Sequence, residues 1–187
     1  MKQIVDGYLL IDKPRGWTSF DVVNKIRWLA SKELGVRPKS LKVGHAGTLD
    51  PLATGLLIVL VGSYTKKQAE FMKQDKTYEA EACLGQTSDT DDAEGNKTLV
   101  SDRRPDQEEV EQTLKTFVGE IEQVPPQFSA IKVDGRAAYA RARSGQKMEL
   151  KSRQVKIFSI EEVNYKYPHV SFICRVSSGT YVRSLLL

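Results

Sequence analysis

The chain has 187 residues, 40% of them apolar, with two cysteines, two histidines and a formal charge of +4. That length suffices for one domain with a core, or a domain carrying an appendage. No apolar run reaches the roughly 18 residues of a membrane span, and the N-terminus lacks the layout of a signal peptide. Cys83 and Cys174 stand far apart in strand-like runs, which excludes a disulfide framework or a metal knot. A reduced, cytoplasmic protein without a histidine-rich metal site is the expectation.

In chain order, "YLLID" at residues 8–12 reads as a strand that turns at Pro14 and Gly16. Thr18 or Ser19 caps a helix with Asp21 in its first turn, and Val22, Val23, Ile26, Leu29 and Ala30 share one face at helical spacing. The stretch "GHAGTLDPLATG", residues 44–55, then sets His45 and Asp50 among glycines that permit tight turns and close approach of a ligand. Pro51 pushes Asp50 into extended backbone, just before the buried strand "LLIVLVG". Two readings of this stretch stay open: an Asx-turn between core elements, or a site. A short helix starts at Thr65 and ends near Lys73.

"KTYEAEACLG" alternates as a strand, with Tyr78, Ala80, Ala82 and Leu84 on one face. "QTSDTDDAEGNK" is an acidic, turn-rich loop. Ala93 and Glu94 stand where an EF-hand needs a ligand and a glycine, so that calcium site is excluded. Asp106 caps a helix through Val110, Leu114, Phe117 and Val118 that stops at Gly119. The next segment, "QVPPQFSAIKVDGRAAYARARSGQ", reads as a strand turning at Asp134 and Gly135, then a short basic helix ending at Gly145.

From Lys132 to Lys156 eight basic residues, Arg141 and Arg143 among them, face two acidic ones. The local excess of +6 leaves −2 for the rest of the chain. Such a block is a polyanion-binding element or a solvated face. "QVKIFSIEEVNY" and "VSFICRVSSGTYVRS" are two further alternating strands. Tyr181 and Arg183, two apart on the second, point the same way in an extended segment. Arg183 either pairs bidentately with a carboxylate or is exposed beside a half-buried tyrosine. The order of elements predicts an α+β fold with a mixed, largely antiparallel sheet flanked by helices.

The segments "LLIDKPRGWTSFD", "KVGHAGTLDPLATGLL", "KTYEAEACLGQTSDTDDAEG", "VPPQFSAIKVDGRAAYARARSG" and "SSGTYVRSL" occur in the order and rough spacing of the bacterial TruB-type tRNA pseudouridine synthases. The chain resembles that family over essentially its whole length. The resemblance implies a pseudouridine synthase catalytic core across residues 1–187, with an inserted RNA-gripping thumb at about residues 125–153. Family members continue past "GTYVRSL" with a helix, further core strands and usually a PUA domain, so the C-terminal part of the core and the PUA domain are expected to be absent.

The implied activity is isomerisation of a T-loop uridine of tRNA, position 55 by tRNA convention, after the base is flipped out. The implied enzyme binds the T-arm, works as a monomer and needs neither cofactor nor metal. The family's catalytic aspartate falls on Asp50, acting as nucleophile at the ribose or as the base that opens a glycal-type route. Tyr78 matches the tyrosine that stacks on the flipped base and whose hydroxyl helps remove the C5 proton. Arg183 matches the arginine that pairs with the aspartate. Tyr181 lines the same wall, His45 matches the histidine near the flipped nucleotide and serves RNA conformation, and Arg141 and Arg143 belong to the basic thumb. One carboxylate uses two of an arginine's five donors, so a second acidic partner is expected, Asp92 first and Asp89 as runner-up. Lys13 and Pro14 shape the first turn. Two other functions stay open: a non-catalytic RNA-binding or tRNA-folding module, and the catalytic subunit of a guide-RNA complex of the related box H/ACA branch. The thumb argues against the latter, because guide-dependent relatives lack it.

Overall fold

The computed structural model describes residues 6–129, 131–133, 136–143 and 148–186. The chain divides into two compact units, Met1–Gln74 and Asp75–Leu187. In the first, β1 (Gly7–Lys13) is followed by α1 (Ser19–Glu33), β2 (Val43–His45), β3 (Gly55–Val61) and α2 (Gln68–Met72). The three strands pair antiparallel in the order β1-β3-β2. Thr18 starts α1 through a capping box: its hydroxyl accepts the Asp21 N–H at 3.1 Å, and the Asp21 carboxylate accepts the Thr18 N–H at 2.9 Å. Val22 and Val23 of the helix bury with Val43, Leu57, Val59 and Val61 of the strands. Leu29, expected on that face, is 45% exposed, and Ser31 is buried instead. The single helix expected from Thr65 to Lys73 is a 3₁₀ segment, Gly62–Lys67, running into the five-residue α2.

The second unit contains β4 (Lys76–Cys83), β5 (Gln86–Ser88), β6 (Lys97–Leu99), α3 (Gln107–Thr116), β7 (Gly119–Gln123), β8 (Lys132–Val133), β9 (Arg136–Ala137), α4 (Ala138–Arg143), β10 (Arg153–Lys166) and β11 (His169–Val176). Its main sheet has the order β4-β11-β10-β7. The period-two apolar positions of β11, Phe172, Cys174 and Val176, meet Ala80, Ile157 and the Val110–Leu114 stripe of α3 in one core. Asp106 caps α3 by accepting the Glu109 N–H at 2.9 Å. Every strand pairing among the described residues is antiparallel, and with the flanking helices this is the expected α+β class.

Three features differ from expectation. The acidic loop is closed by a hairpin, β5 with β6. A strand, β7, follows the helix stop at Gly119 and pairs with β10 from Gly119↔Ile157 to Gln123↔Arg153. Finally, β11 ends at Val176. The chain then turns through Gly179 at φ +86° into a 3₁₀ turn, Arg183–Leu185. Tyr181 and Arg183 therefore do not ride on an extended strand: the chain leaves the sheet after Val176 and turns between Ser177 and Thr180, where the Thr180 N–H bonds the Ser177 carbonyl at 3.3 Å and Gly179 supplies the positive φ. The turn expected at Asp134 and Gly135, and the helix stop at Gly145, lie outside the described residues.

Gly85 joins β4 to the hairpin around the acidic loop. At φ +83°, a Cβ there would lie 2.5 Å from the Ser101 carbonyl oxygen. That oxygen has little room to retreat, since the Gly85 carbonyl accepts the N–H of both Val100 (2.8 Å) and Ser101 (3.1 Å). Gly85→Ala is expected to cost roughly 1–3 kcal/mol, read as a lower urea midpoint. An unchanged midpoint would mean that the turn relaxes freely.

Candidate functional site

The first unit holds Asp50 by its neighbours. Lys13 is fully buried, and its Nζ donates to the carbonyls of Pro14 (3.1 Å), Trp17 (2.7 Å) and Pro51 (3.1 Å). All three ammonium donors are thus satisfied. Burial pushes its pKa below the ordinary lysine value, against the opposing influence of the Asp50 carboxylate. The Gly16 N–H adds a second bond to the Pro51 carbonyl, at 2.8 Å. On the other side of Asp50, the buried Ser19 hydroxyl accepts the Leu49 N–H at 2.9 Å and donates to the Leu49 carbonyl at 3.1 Å. Asp50 is half-buried, and its carbonyl accepts the Ala53 N–H at 3.1 Å.

His45 ends β2. Its Nδ1 lies 2.6 Å from the Gly47 carbonyl oxygen. A carbonyl only accepts, so Nδ1 carries the proton, and in the neutral ring Nε2 is an acceptor. Gly47 at φ +120° makes this fold-back possible.

The second unit gathers Arg183, Asp92 and Tyr181. The Arg183 side chain is 14% exposed and Asp92 23%, with Nη1 4.0 Å from Oδ2. That is an ion-pair distance, longer than a hydrogen bond. Arg183 also donates from Nη1 to the Thr90 carbonyl (3.2 Å) and from Nη2 to the Phe128 carbonyl (3.0 Å). The Asp92 Oδ1 accepts from the Thr90 hydroxyl (2.6 Å) and the Glu94 N–H (2.9 Å), which turns Oδ2 toward the arginine. The Ser88 hydroxyl fixes the same residue, accepting the Asp92 N–H at 2.9 Å and donating to its carbonyl at 2.7 Å. Asp89, the runner-up, instead accepts the N–H and the side-chain amide of Asn96, both at 2.9 Å.

The sequence reading passed over Asp91. This residue sits at φ +57°, where an aspartate is tolerated better than most side chains. Burial raises its pKa, with Arg183 lowering it and Asp92 raising it. Sequence signals for the difference are lacking, because three carboxylates in one polar loop look alike until the backbone turns.

Tyr181 is half-buried, and its backbone is bonded on both sides by the Gln123 amide. Tyr78 lies in β4 opposite Cys174 of β11, half-buried against the core. Arg141 is half-buried on α4, while Arg143 closes that helix and its side chain lies outside the described residues. Among the described residues, no group of three or more His, Cys, Asp or Glu is arranged to hold a metal ion, and no helix is long and apolar enough to cross a membrane.

Residues 32–182 match the TruB family pseudouridylate synthase N-terminal domain. The chain is 46% identical over 186 residues to the tRNA pseudouridine synthase B of Parabacteroides distasonis, which spans 99% of this chain and 78% of that protein. It is 45% identical over 184 residues to the protein of the same name from Roseobacter denitrificans, across 97% of this chain and 57% of the relative. It thus spans little more than half the length of several curated relatives it matches. Among solved structures, a chain in a crystal structure of a Cbf5–Nop10–Gar1 complex is similar with a TM-score of 0.65 and 28% identity, over 96% of this chain and 42% of that one.

Asp91 yields a pH-dependent prediction. Its raised pKa means that the folded protein disfavours the ionised form. The cost is absent below the ordinary value of 3.8, grows as pH rises through the window from there to the raised value, and is constant above it. Asp91→Asn removes that cost and retains tolerance of the positive φ. The variant is therefore expected to melt above the parent at pH 7, with the difference vanishing in acid. A difference that stays constant with pH would place the effect elsewhere.

Proposed function

Since the chain belongs to the TruB family of pseudouridylate synthases, we propose that it converts a uridine of tRNA to pseudouridine, and that this uridine is the one at position 55 in the T-loop. The reaction is an isomerisation. The C1′–N1 bond breaks, the detached uracil turns, a C1′–C5 bond forms, and the C5 proton leaves while N1 gains one. It requires a carboxylate, an aromatic platform, a cation for that carboxylate and a base for the C5 proton. The uridine must first leave its stack.

Asp50 is the carboxylate, acting at the ribose as nucleophile or as the base of a glycal-type route. Tyr78 is the stacking platform and its hydroxyl assists removal of the C5 proton. Arg183 is the cation, with Asp92 as its second acidic partner. Tyr181 lines the same wall as Arg183, and His45 shapes the bound RNA.

The observation that carries this reading is the fixing of the backbone on both sides of Asp50. Ser19 holds Leu49 through both its polar groups, and Lys13 and Gly16 hold the Pro51 carbonyl. A solvated turn needs no buried ammonium to hold it, whereas a reacting carboxylate gains from fixed geometry.

Charge supports an RNA substrate. Residues 1–74 carry twelve basic against six acidic residues, and residues 132–156 eight against two, while the remainder holds eight basic and sixteen acidic. Basic groups segregated in this way suit a polyanion. The name of the curated relatives, tRNA pseudouridine synthase B, supports tRNA. A solved H/ACA RNP bound to a substrate RNA is also similar, but at 26% identity, so the tRNA branch is favoured over the guide-RNA branch.

The test is incubation with unmodified tRNA, without guide RNA, followed by carbodiimide primer-extension mapping. A single stop at the T-loop uridine is expected. Binding without product would mean a non-catalytic module, and product only with a guide RNA would mean the H/ACA type. Asp50→Asn should abolish product while leaving tRNA affinity nearly intact. Turnover of that variant within about tenfold of the parent, some 1.4 kcal/mol, would remove Asp50 from the chemistry.

Replacing Arg141 and Arg143 together by alanine should weaken tRNA binding and flatten the slope of log K against log salt by roughly 1 to 2. An unchanged slope would assign the basic block to a solvated face.

A further inference from the structure

Once β11 stops at Val176, the chain that carries Tyr181 and Arg183 pairs with no strand among the described residues, yet its polar groups are partly buried and need partners. A side chain supplies them for Tyr181. Gln123, the last residue of β7 and 4% exposed, donates from Nε2 to the Tyr181 carbonyl at 2.9 Å and accepts the Tyr181 N–H at Oε1, 2.8 Å. The amide makes the pair of bonds that a facing residue makes in an antiparallel ladder.

Its cross-strand neighbour completes the hold. Arg153 is the register partner of Gln123. Its guanidinium lies over the Tyr181 ring, 4.9 Å from the centroid, and donates to the Gly179 carbonyl. The chain just beyond β7 receives the residues that follow. The Ser184 hydroxyl donates to the Val124 carbonyl at 3.0 Å, and Arg183 Nη2 to the Phe128 carbonyl at 3.0 Å.

We propose that Gln123 is a positioning residue for Tyr181 and Arg183: its amide fixes the backbone from which both side chains are aimed. This rests on the reading of Tyr181 and Arg183 as site residues given above. The role needs one donor and one acceptor on the same planar group at this reach. Leucine offers neither. Ionised glutamate offers acceptors only and sets one against the Tyr181 carbonyl, whereas protonated glutamate regains a donor and reproduces the pairing.

The experiment compares the parent, Gln123→Leu, Gln123→Glu and Asp50→Asn in the whole gene product, by single-turnover pseudouridine formation on saturating tRNA and by tRNA binding. Gln123→Leu is expected to lose about tenfold to a hundredfold in rate with little change in affinity, since a misplacement of about 1 Å costs on the order of a hundredfold. Gln123→Glu should match it at about pH 8, and its rate relative to the parent should recover toward about pH 6, because burial raises a carboxyl pKa.

A normal rate for Gln123→Leu overturns the proposal, and so does a parallel loss of rate and affinity, which marks a general loss of structure. If Gln123→Leu does not fold, a rate ratio for Gln123→Glu that is flat with pH overturns it. The Asp50→Asn control separates the two levels. An inactive parent or an active Asp50→Asn removes the underlying reading and this inference with it, whereas an inactive Asp50→Asn beside a fully active Gln123→Leu removes this inference alone.

Discussion

A loop that departs from a sheet leaves behind the ladder that would have paired its N–H and C=O groups, and where such a loop is partly buried those groups must find other partners. Among the described residues, four side chains meet this need in the same way, each closing both backbone groups of one loop residue. Ser19 closes Leu49, Ser88 closes Asp92, Gln123 closes Tyr181 and Gln127 closes Met148. Three of the four clamped residues are, or adjoin, groups that the proposed chemistry uses, and the fourth lies in the basic insertion. A hydrogen bond contributes about 0.5–1.5 kcal/mol net, so each clamp is modest in stability. Its greater effect is to reduce an irregular loop to one backbone geometry.

Lys13 and Arg183, both largely enclosed, divide the work differently. Lys13 is a compact ammonium with all three donors on carbonyls, two of them in its own turn and the third on Pro51. It acts on backbone, and the price is a buried charge whose pKa is pushed down. Arg183 spreads a planar guanidinium between the Thr90 and Phe128 carbonyls and the Asp92 carboxylate. That fork can hold several partners in fixed directions, which a lysine cannot. Nearby, burial and, to a lesser degree, the Asp92 charge disfavour the ionised form of Asp91, and the arginine opposes both.

Much of the scaffold was legible because its residues advertise it locally. Thr18 and Asp21 announce the start of α1, and the alternation of "YEAEAC" and "VSFICRV" gives β4 and β11 their faces. The elements that escaped notice lack such a signal. Three-residue β2 contains a glycine and a histidine, β5 and β6 are short and polar, and β7 alternates glutamates with a lone isoleucine. Past Val176 the sequence offers no apolar pattern to mark where the strand stops, and the turn through Gly179 carries the chain off the extended course before Arg183. The candidate site was legible only where chemistry is local, as at Asp50 before Pro51. The clamps on Leu49 and Tyr181 join residues 30 and 58 positions apart, and nothing in a one-dimensional pattern records which buried polar side chain will meet which loop.

The four clamps also set how the loops breathe. The amide protons of Leu49, Asp92, Tyr181 and Met148 end on side-chain oxygens, so releasing one to solvent takes the rotation of a single side chain rather than the unzipping of strands or the unwinding of helix. Amide exchange at these points is thereby decoupled from the cooperative opening of the sheets, and each point has an opening energy of its own. A loop pinned at one residue and compliant on either side can bend around an incoming ligand while the pinned residue keeps its place.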